Sequence, residues 1–464
     1  MKRLLKRIWN WIDDRSGISD LIAPLMKHKV PPGSKWSYVF GSATLFCFVL
    51  QILTGSCLAL MYQATSDKAF QSLQFITNDA TLGKILRGIH YFGASGMILL
   101  AGVHMIRVYI TAAYKYPREM NWISGVVLLL LVTVMGFTGQ LLRWDDNGVW
   151  SAVVGAEQMG RVPFIGKYLA RLLIGGDTLG GQTLVRFYTY HVFMVPGLII
   201  LFLLFHLWLV MKNGISEPAR HALPIDPATY RKKYEEALKA EGISFWPYAA
   251  WRDVIFGAAV IMVIIAAACI VGPPELRKAP DPSVVQTQPR PDWYLLWVYA
   301  LFALMPREIE SYAIFFGPLI IFFLLFAVPF ISNKGERNPL KRPWAIAGST
   351  AIVIFIITLL LVGYKAGWSP AFHDTDIPDN VLPARDATML EGKNIFSKKG
   401  CLYCHRIKSY GGVVGPDLTH VGTRLSENEL YLKILNGSKN MPSYAHLLSQ
   451  EEMKELTSFL KNMK

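Results

Sequence analysis

The chain has 464 residues, 52% of them hydrophobic, and carries a formal net charge of +14. With a positive mean hydropathy, that balance excludes a disordered chain and an ordinary soluble domain, and it leaves room for a membrane-spanning bundle plus a further domain. The charge points to anionic lipid or an acidic partner rather than to nucleic acid, because no basic groove motif accompanies the apolar stretches.

Residues 1 to 36 begin MKRLLKRIW, a basic and amphipathic segment. It has no compact apolar core followed by a small-residue cleavage site, so it is expected to be retained. Seven apolar stretches follow, near 37–62, 88–112, 122–142, 189–211, 252–272, 313–332 and 344–364. Each is long enough to cross a bilayer. The predicted fold is therefore all-α: a polytopic bundle of about seven transmembrane helices, with a small all-α domain after it. Connections on the N-terminal side carry 21 Lys and Arg, those on the other side 12. The N-terminus is thus expected in the cytoplasm and the C-terminus outside.

The second stretch carries His90 and His104, the fourth His191 and His206. Intervals of 14 and 15 residues are near whole helical turns, so each pair faces one way, its members roughly 21 to 22 Å apart along the axis. Read as an antiparallel pair, the two helices bring His90 to His191 at one membrane face and His104 to His206 at the other. Two stacked bis-histidine sites are suited to two b-type haems. A lone histidine on an apolar helix is more often a hydrogen-bonded core residue, but ionisable groups at membrane depth are costly and usually functional.

Arg87 and Arg107 lie one turn from His90 and His104, and Arg186 lies five residues before His191. Arginine pairs well with carboxylates such as haem propionates where water is scarce, although each could equally snorkel to the interface. The first and third stretches repeat the 14-residue interval with glycines, Gly41/Gly55 and Gly125/Gly139. Glycine admits a flat macrocycle or a neighbouring backbone, and close helix packing is the simpler explanation of it.

Beyond the fourth stretch, Pro291-Asp292-Trp293-Tyr294 precedes the sixth. On its own, an aspartate there reads as a capping or solvated residue. Residues 365 to 385 are rich in Pro and Asp and read as a linker. Then comes Cys401-Leu402-Tyr403-Cys404-His405, the attachment signature of a c-type haem: two thiols reach two vinyl groups and the next histidine ligates iron. Because that haem is attached outside the cytoplasm, the motif agrees with the charge count. Cys47, Cys57 and Cys269 fall in apolar stretches and read as small hydrophobes.

These residues resemble a known family. Val30-Pro31-Pro32, Gly41/Gly55, Arg87-x-x-His90, His104-x-x-Arg107, Gly125/Gly139, Trp144-Asp145, Arg186-Phe187-Tyr188 with His191, and Lys212-x-Gly214-Ile215-Ser216 are similar to cytochrome b6 over 1–215. Residues 216–365 look like its companion subunit IV. Together they resemble the cytochrome b of bc-type quinol:cytochrome c oxidoreductases. The remainder divides into a linker at 366–385 and a domain at 386–464 that resembles a class I cytochrome c.

The resemblance implies the ligand set His90/His191 and His104/His206 for two non-covalent b haems, and Cys401, Cys404, His405 and Met441 for one covalent c haem. Met453, His420 and His446 compete with Met441 for the sixth position. In the family, Gly392 and Phe396 pack the first helix of the c domain on the last, and Gly415-Pro416-Asp417-Leu418 flanks the haem edge. Two departures stand out. The cysteine that anchors an extra haem in b6 proteins is matched here by Val39, and the Pro-Glu-Trp-Tyr motif of the outer quinol site is matched by Pro291-Asp292-Trp293-Tyr294, one methylene shorter at the carboxylate.

The activity so implied is quinol oxidation at the outer site, with Asp292 as proton acceptor. One electron leaves through a separate Rieske iron-sulfur protein to the c haem, the other passes through the b haems to quinone at the inner site, and protons are translocated. Lys212, Asp20 and His221 are candidate inner proton donors. Expected partners are the quinone pool, a downstream cytochrome c, membrane lipid and a second copy, in the cell inner membrane. Two alternatives stay open: a non-enzymatic haem-bearing membrane anchor, and a photosynthetic b6f-type complex.

Overall fold

A computed structural model describes residues 2–160, 162, 164–176, 180–219, 224–277, 279, 291–365, 377–383, 387–403, 405–408, 410–411, 416–437, 441, 444–445 and 447–464. Seven helices are long and apolar enough to cross a membrane: Phe40–Ala59, Gly83–Ile110, Glu119–Leu141, Gly181–Asn213, Phe245–Ile270, Tyr312–Ile331 and Pro343–Lys365. We call them the first to the seventh span. Each ends within a few residues of the expected stretch, and the fourth reaches back at its start to Gly181. That extension contains a wide turn at Tyr190–Met194, where Val195 N–H donates to Tyr190 O. Pro196 brings no N–H and a ring that crowds the preceding turn, and the widened turn relieves both.

The chain forms two compact units, one of Met1–Arg143, Gln158–Leu276 and Arg307–Phe355, the other of Trp144–Glu157, Arg277–Pro306 and Ile356–Lys464. In the first, the second span packs on the first and fifth, and the third on the fourth and sixth. The second and fourth spans carry their histidine pairs in the same chain direction, which corrects the antiparallel reading. One crossing lies between them, so they traverse the bilayer alike, and His90 faces His191 for that reason.

A set of buried cations ties the loops at one end of this unit. Arg118 is buried and donates to the carbonyls of Asn213, Gly214 and Ile215 and to Tyr230 Oη. Arg337, 1% exposed, pairs with Glu217 at 2.6 Å. The joint after Gly214 is thus held from two sides, which binds the 1–215 stretch to the residues beyond it. Burial pushes the Glu217 carboxyl up, but Arg337, the Glu217 backbone N–H and Arg118 outweigh it and hold the group below its ordinary value of 4.5. A carboxyl with a lowered folded value contributes stability above its unfolded value and loses it as pH falls through the folded one. We therefore expect thermal stability of the detergent-solubilised protein to fall below about pH 4.5, and less steeply in Glu217→Gln. Arg337→Met strands the carboxylate and is expected to cost about 3–5 kcal/mol, read from a chemical-denaturation midpoint.

In the second unit, residues 387–464 form a small helical domain. Helix Ala387–Lys398 crosses helix Gln450–Asn462, with Phe396 and Phe459 5.7 Å apart. Gly392 sits against the Phe459 Cβ, so any side chain there would separate the two helices. Around them Met389, Ile395, Ile407, Leu430, Leu456 and their neighbours form one apolar core.

Candidate haem sites

Each histidine of the four-helix region is seated on a glycine from a neighbouring span. The rings of His90 and His191 are 6.3 Å apart, centre to centre. Two imidazoles bound to one metal through bonds of about 2 Å stand at about that separation. His104 and His206 line one cavity of about 560 Å³, within the range of cofactor pockets. A Cβ on Gly139 would lie 2.6 Å from His191 Cε1, on Gly41 3.0 Å from His104 Cε1, on Gly55 3.1 Å from His90 Cε1, and on Gly125 3.6 Å from His206 Cε1. The four glycines of the 14-residue register thus let imidazole edges approach the backbone.

The residue before the glycine completes three of the four seats. Thr54 Oγ1 lies 2.9 Å from His90 Nδ1, Ser124 Oγ 2.8 Å from His206 Nδ1, and Thr138 Oγ1 3.2 Å from His191 Nδ1. Each hydroxyl already donates its proton to a carbonyl of its own helix, that of Leu50, Asn121 or Val134. It can therefore only accept from the imidazole, which puts the ring proton on Nδ1 and leaves Nε2 bare for a metal. At the fourth seat Phe40 precedes Gly41. The sequence reading missed these hydroxyls, although the Thr/Ser-Gly dipeptide repeats at the register. Thr138→Val is expected to weaken haem retention at His191 about 10- to 100-fold, while Thr138→Ser retains it; haem-to-protein ratio after dilution in detergent is the readout.

The arginines divide. Arg87 donates to Thr77 Oγ1 at 3.1 Å and to Pro274 O at 2.7 Å, and Arg186 to Leu172 O at 2.8 Å. Both are thus engaged by the polypeptide at the His90/His191 end. Arg107 instead lines the cavity, its guanidinium 3.8 Å over the Tyr38 ring and its buried Nε without a hydrogen-bond partner among the described residues. It is the arginine best placed for an acidic ligand group.

The same cavity carries a polar rim of His28, Ser34, Lys35, Arg252 and Asp253. Ser42 Oγ lies 2.5 Å from Asp253 Oδ1. Val39 lines it too, so no thiol is offered at that position. Of the residues expected as proton donors, Asp20 is exposed in the first turn of helix Ile18–Lys27, and Lys212 is exposed with its ammonium 4.9 Å over the Trp208 ring. His221 lies outside the described residues. Asp253 went unread because it comes from the fifth span, distant in sequence from the histidines.

Asp292 stands at the N-cap position of helix Trp293–Ala303 of the second unit without a side-chain capping bond, Pro291 precedes it, and Tyr294 Oη donates to Asp292 Oδ2 at 3.2 Å. Trp293 stands edge-on to Tyr294, 5.8 Å away. In the C-terminal domain Cys401 opens a short helical turn. His405 Nδ1 lies 2.8 Å from Pro416 O. A carbonyl only accepts, so Nδ1 carries the proton and Nε2 is bare for iron. Cys401 and Met441 both pack at the margin of the core, whereas Met453 is buried within it. His420 sits at the start of helix Val421–Arg424. Cys404, Gly415, His446 and most of the 366–385 linker lie outside the described residues.

Bare Nε2 atoms, seated imidazole pairs and an apolar cavity with an arginine on its wall suit haem. A model described as Cytochrome b/b6/petB matches residues 25–214, and one described as Cytochrome C oxidase, cbb3-type, subunit III matches residues 387–460. The chain is 36% identical over 214 residues to cytochrome b6 of Acaryochloris marina (strain MBIC 11017), covering 46% of itself and all of that relative. It is 36% identical over 211 residues to cytochrome b6 of Prochlorococcus marinus (strain NATL1A), covering 46% of itself and 97% of the relative. A solved structure described as a hyperthermophilic respiratory Complex III is similar over 77% of this chain and 91% of that one, with a TM-score of 0.64 and 25% identity. With its histidines and glycines so arranged, the chain belongs to the cytochrome b/b6 family, and a cytochrome c domain is fused behind it.

Proposed function

We propose that this protein is the catalytic b/c subunit of a bc-type quinol:cytochrome c oxidoreductase. Quinol is oxidised at an outer site at Asp292, and quinone is reduced at an inner site in the 560 Å³ cavity. The observation that carries the reading is the opposed pair His90/His191 at 6.3 Å, one helical register above a second pair that shares a cavity. Two b haems and one c haem per chain, once bound, supply a one-electron path across the membrane and a second path on its outer face.

The protein's own groups handle the protons. At a helix start, the Asp292 carboxylate is the group that accepts a proton from a quinol hydroxyl. Tyr294, hydrogen-bonded to Oδ2, orients it, and Pro291 limits the backbone before it. At the inner site Asp253, held by Ser42, is positioned to hold the proton a reduced quinone takes up, and Arg107 offers positive charge to its developing oxygen anion. Uptake on one side and release on the other make the cycle proton-translocating.

The charge distribution supports an N-terminus in the cytoplasm, a c domain on the outer side and residence in the cell inner membrane. Partners under this reading are a Rieske iron-sulfur protein, the quinone pool, a downstream cytochrome c and a second copy of the chain. Purification followed by haem quantification and redox titration tests it: two b haems and one c haem per chain, with quinol:cytochrome c activity sensitive to an outer-site inhibitor such as stigmatellin, are expected. One b haem, or insensitivity with no bound Rieske protein, returns the reading to a haem-bearing membrane anchor. Met441→His is expected to lower the c-haem potential, because a thioether ligand favours the reduced iron; an unchanged potential and spectrum reject Met441 as ligand.

A further inference from the structure

Among the described residues one side-chain amide within the first span is left without a partner. Gln51 Nε2 is buried and makes no hydrogen bond. An amide in that condition is costly at membrane depth, where no water stands in for the missing acceptor. Gln51 lies one turn before Gly55, whose backbone seats His90, and it points at Gly93, one turn after His90 on the second span. The fit there is close: a Cβ on Gly93 would overlap Gln51 Nε2. Two helices thus leave space for this amide on the midplane side of the His90/His191 layer.

We infer that Gln51 is a positioning residue that directs an amide N–H at the b haem of the His90/His191 layer and raises its reduction potential. Adding an electron to that site adds a unit of negative charge in surroundings of low dielectric constant. A fixed N–H dipole with its positive end toward the charge favours the reduced form. Among the described residues no carbonyl accepts from the donor, so its orientation follows from packing against Gly93. The inference rests on the reading of this layer as a haem site. It adds one amide that the first span supplies to the His90/His191 layer.

Redox titration of purified Gln51→Leu, following both b haems in one experiment, tests this. At a fixed ambient potential the oxidised-to-reduced ratio of the outer haem is expected to rise about tenfold, the equilibrium equivalent of one net hydrogen bond. The inner haem is expected to change by less than about twofold, because its layer lies roughly 20 Å away. Gly93→Ala, which displaces the amide without removing it, is expected to shift the same haem in the same direction and decides the matter if Gln51→Leu fails to assemble. Both haems present with unchanged potentials, or an equal shift of both, overturns the role of Gln51. A protein that holds only one b haem before any substitution overturns the haem reading instead.

Discussion

Gly139→Ala is expected to empty the haem site at His191 while Gly125→Ala leaves the one at His206 nearly full. The added methyl at position 139 would meet His191 Cε1 at 2.6 Å, whereas at position 125 it would meet His206 Cε1 at 3.6 Å, an ordinary contact. His191 has no room to yield. Its Nδ1 is engaged by Thr138, and its Nε2 must stay within bonding distance of a shared iron. Displacing the ring by a few tenths of an ångström breaks one of those bonds, and losing the group that orients a ligating imidazole typically costs 10- to 100-fold in metal affinity. Reduced-minus-oxidised spectra of the purified variants, after dilution in detergent, would then show less of the His191 haem in Gly139→Ala than in the unmodified protein. Gly41→Ala and Gly55→Ala, at 3.0 and 3.1 Å, belong between the extremes. Equal haem content across the four variants would refute the seating argument.

That graded series shows what the sequence does and does not disclose. Intervals of 14 and 15 residues are visible in one dimension because a helix converts them into one face, and apolar length discloses a span for the same reason. The 14-residue glycine register was therefore legible, but its meaning was not. Whether a glycine faces a macrocycle, a helix or an imidazole depends on which span lies opposite, and the structure answers with the imidazoles. Thr54, Ser124 and Thr138 were passed over because a hydroxyl in an apolar helix is usually explained by the carbonyl one turn back. Each does make that bond, and it is what frees the oxygen to accept from a histidine.

Asp253 and the Arg118/Arg337/Glu217 set were illegible for a different reason. Their partners are separated by roughly a hundred residues or more, and no local pattern encodes a contact of that kind. The direction of the fourth span was misread although the count of crossings determines it. Parity of spans is a stronger constraint on pairing than the intuition that facing helices oppose each other. The relation between the two pairs follows from that parity: like ends meet, so each layer takes one histidine from each span.

Asp292→Ala is expected to slow quinol oxidation by about 10²- to 10⁴-fold, the usual worth of a positioned proton acceptor, with all haems retained. Asp292 occupies the N-cap position of helix Trp293–Ala303 without a side-chain capping bond, and its carboxylate receives the Tyr294 hydroxyl. Two substitutions separate a structural role from that of a base. Asp292→Asn preserves the size of the side chain and an oxygen to accept from Tyr294, so a merely structural residue would survive it with little change. A base would not, because an amide accepts no proton at neutral pH. Asp292→Glu restores the acceptor on a longer arm and is expected to recover most of the rate, with the pH profile of turnover moving with the new carboxyl. Tyr294→Phe removes only the orienting hydrogen bond and is expected to fall between, at about tenfold. If Asp292→Asn turns over quinol at the unmodified rate, or if Asp292→Ala loses haem in proportion to activity, the motif is structural and the proton acceptor lies elsewhere.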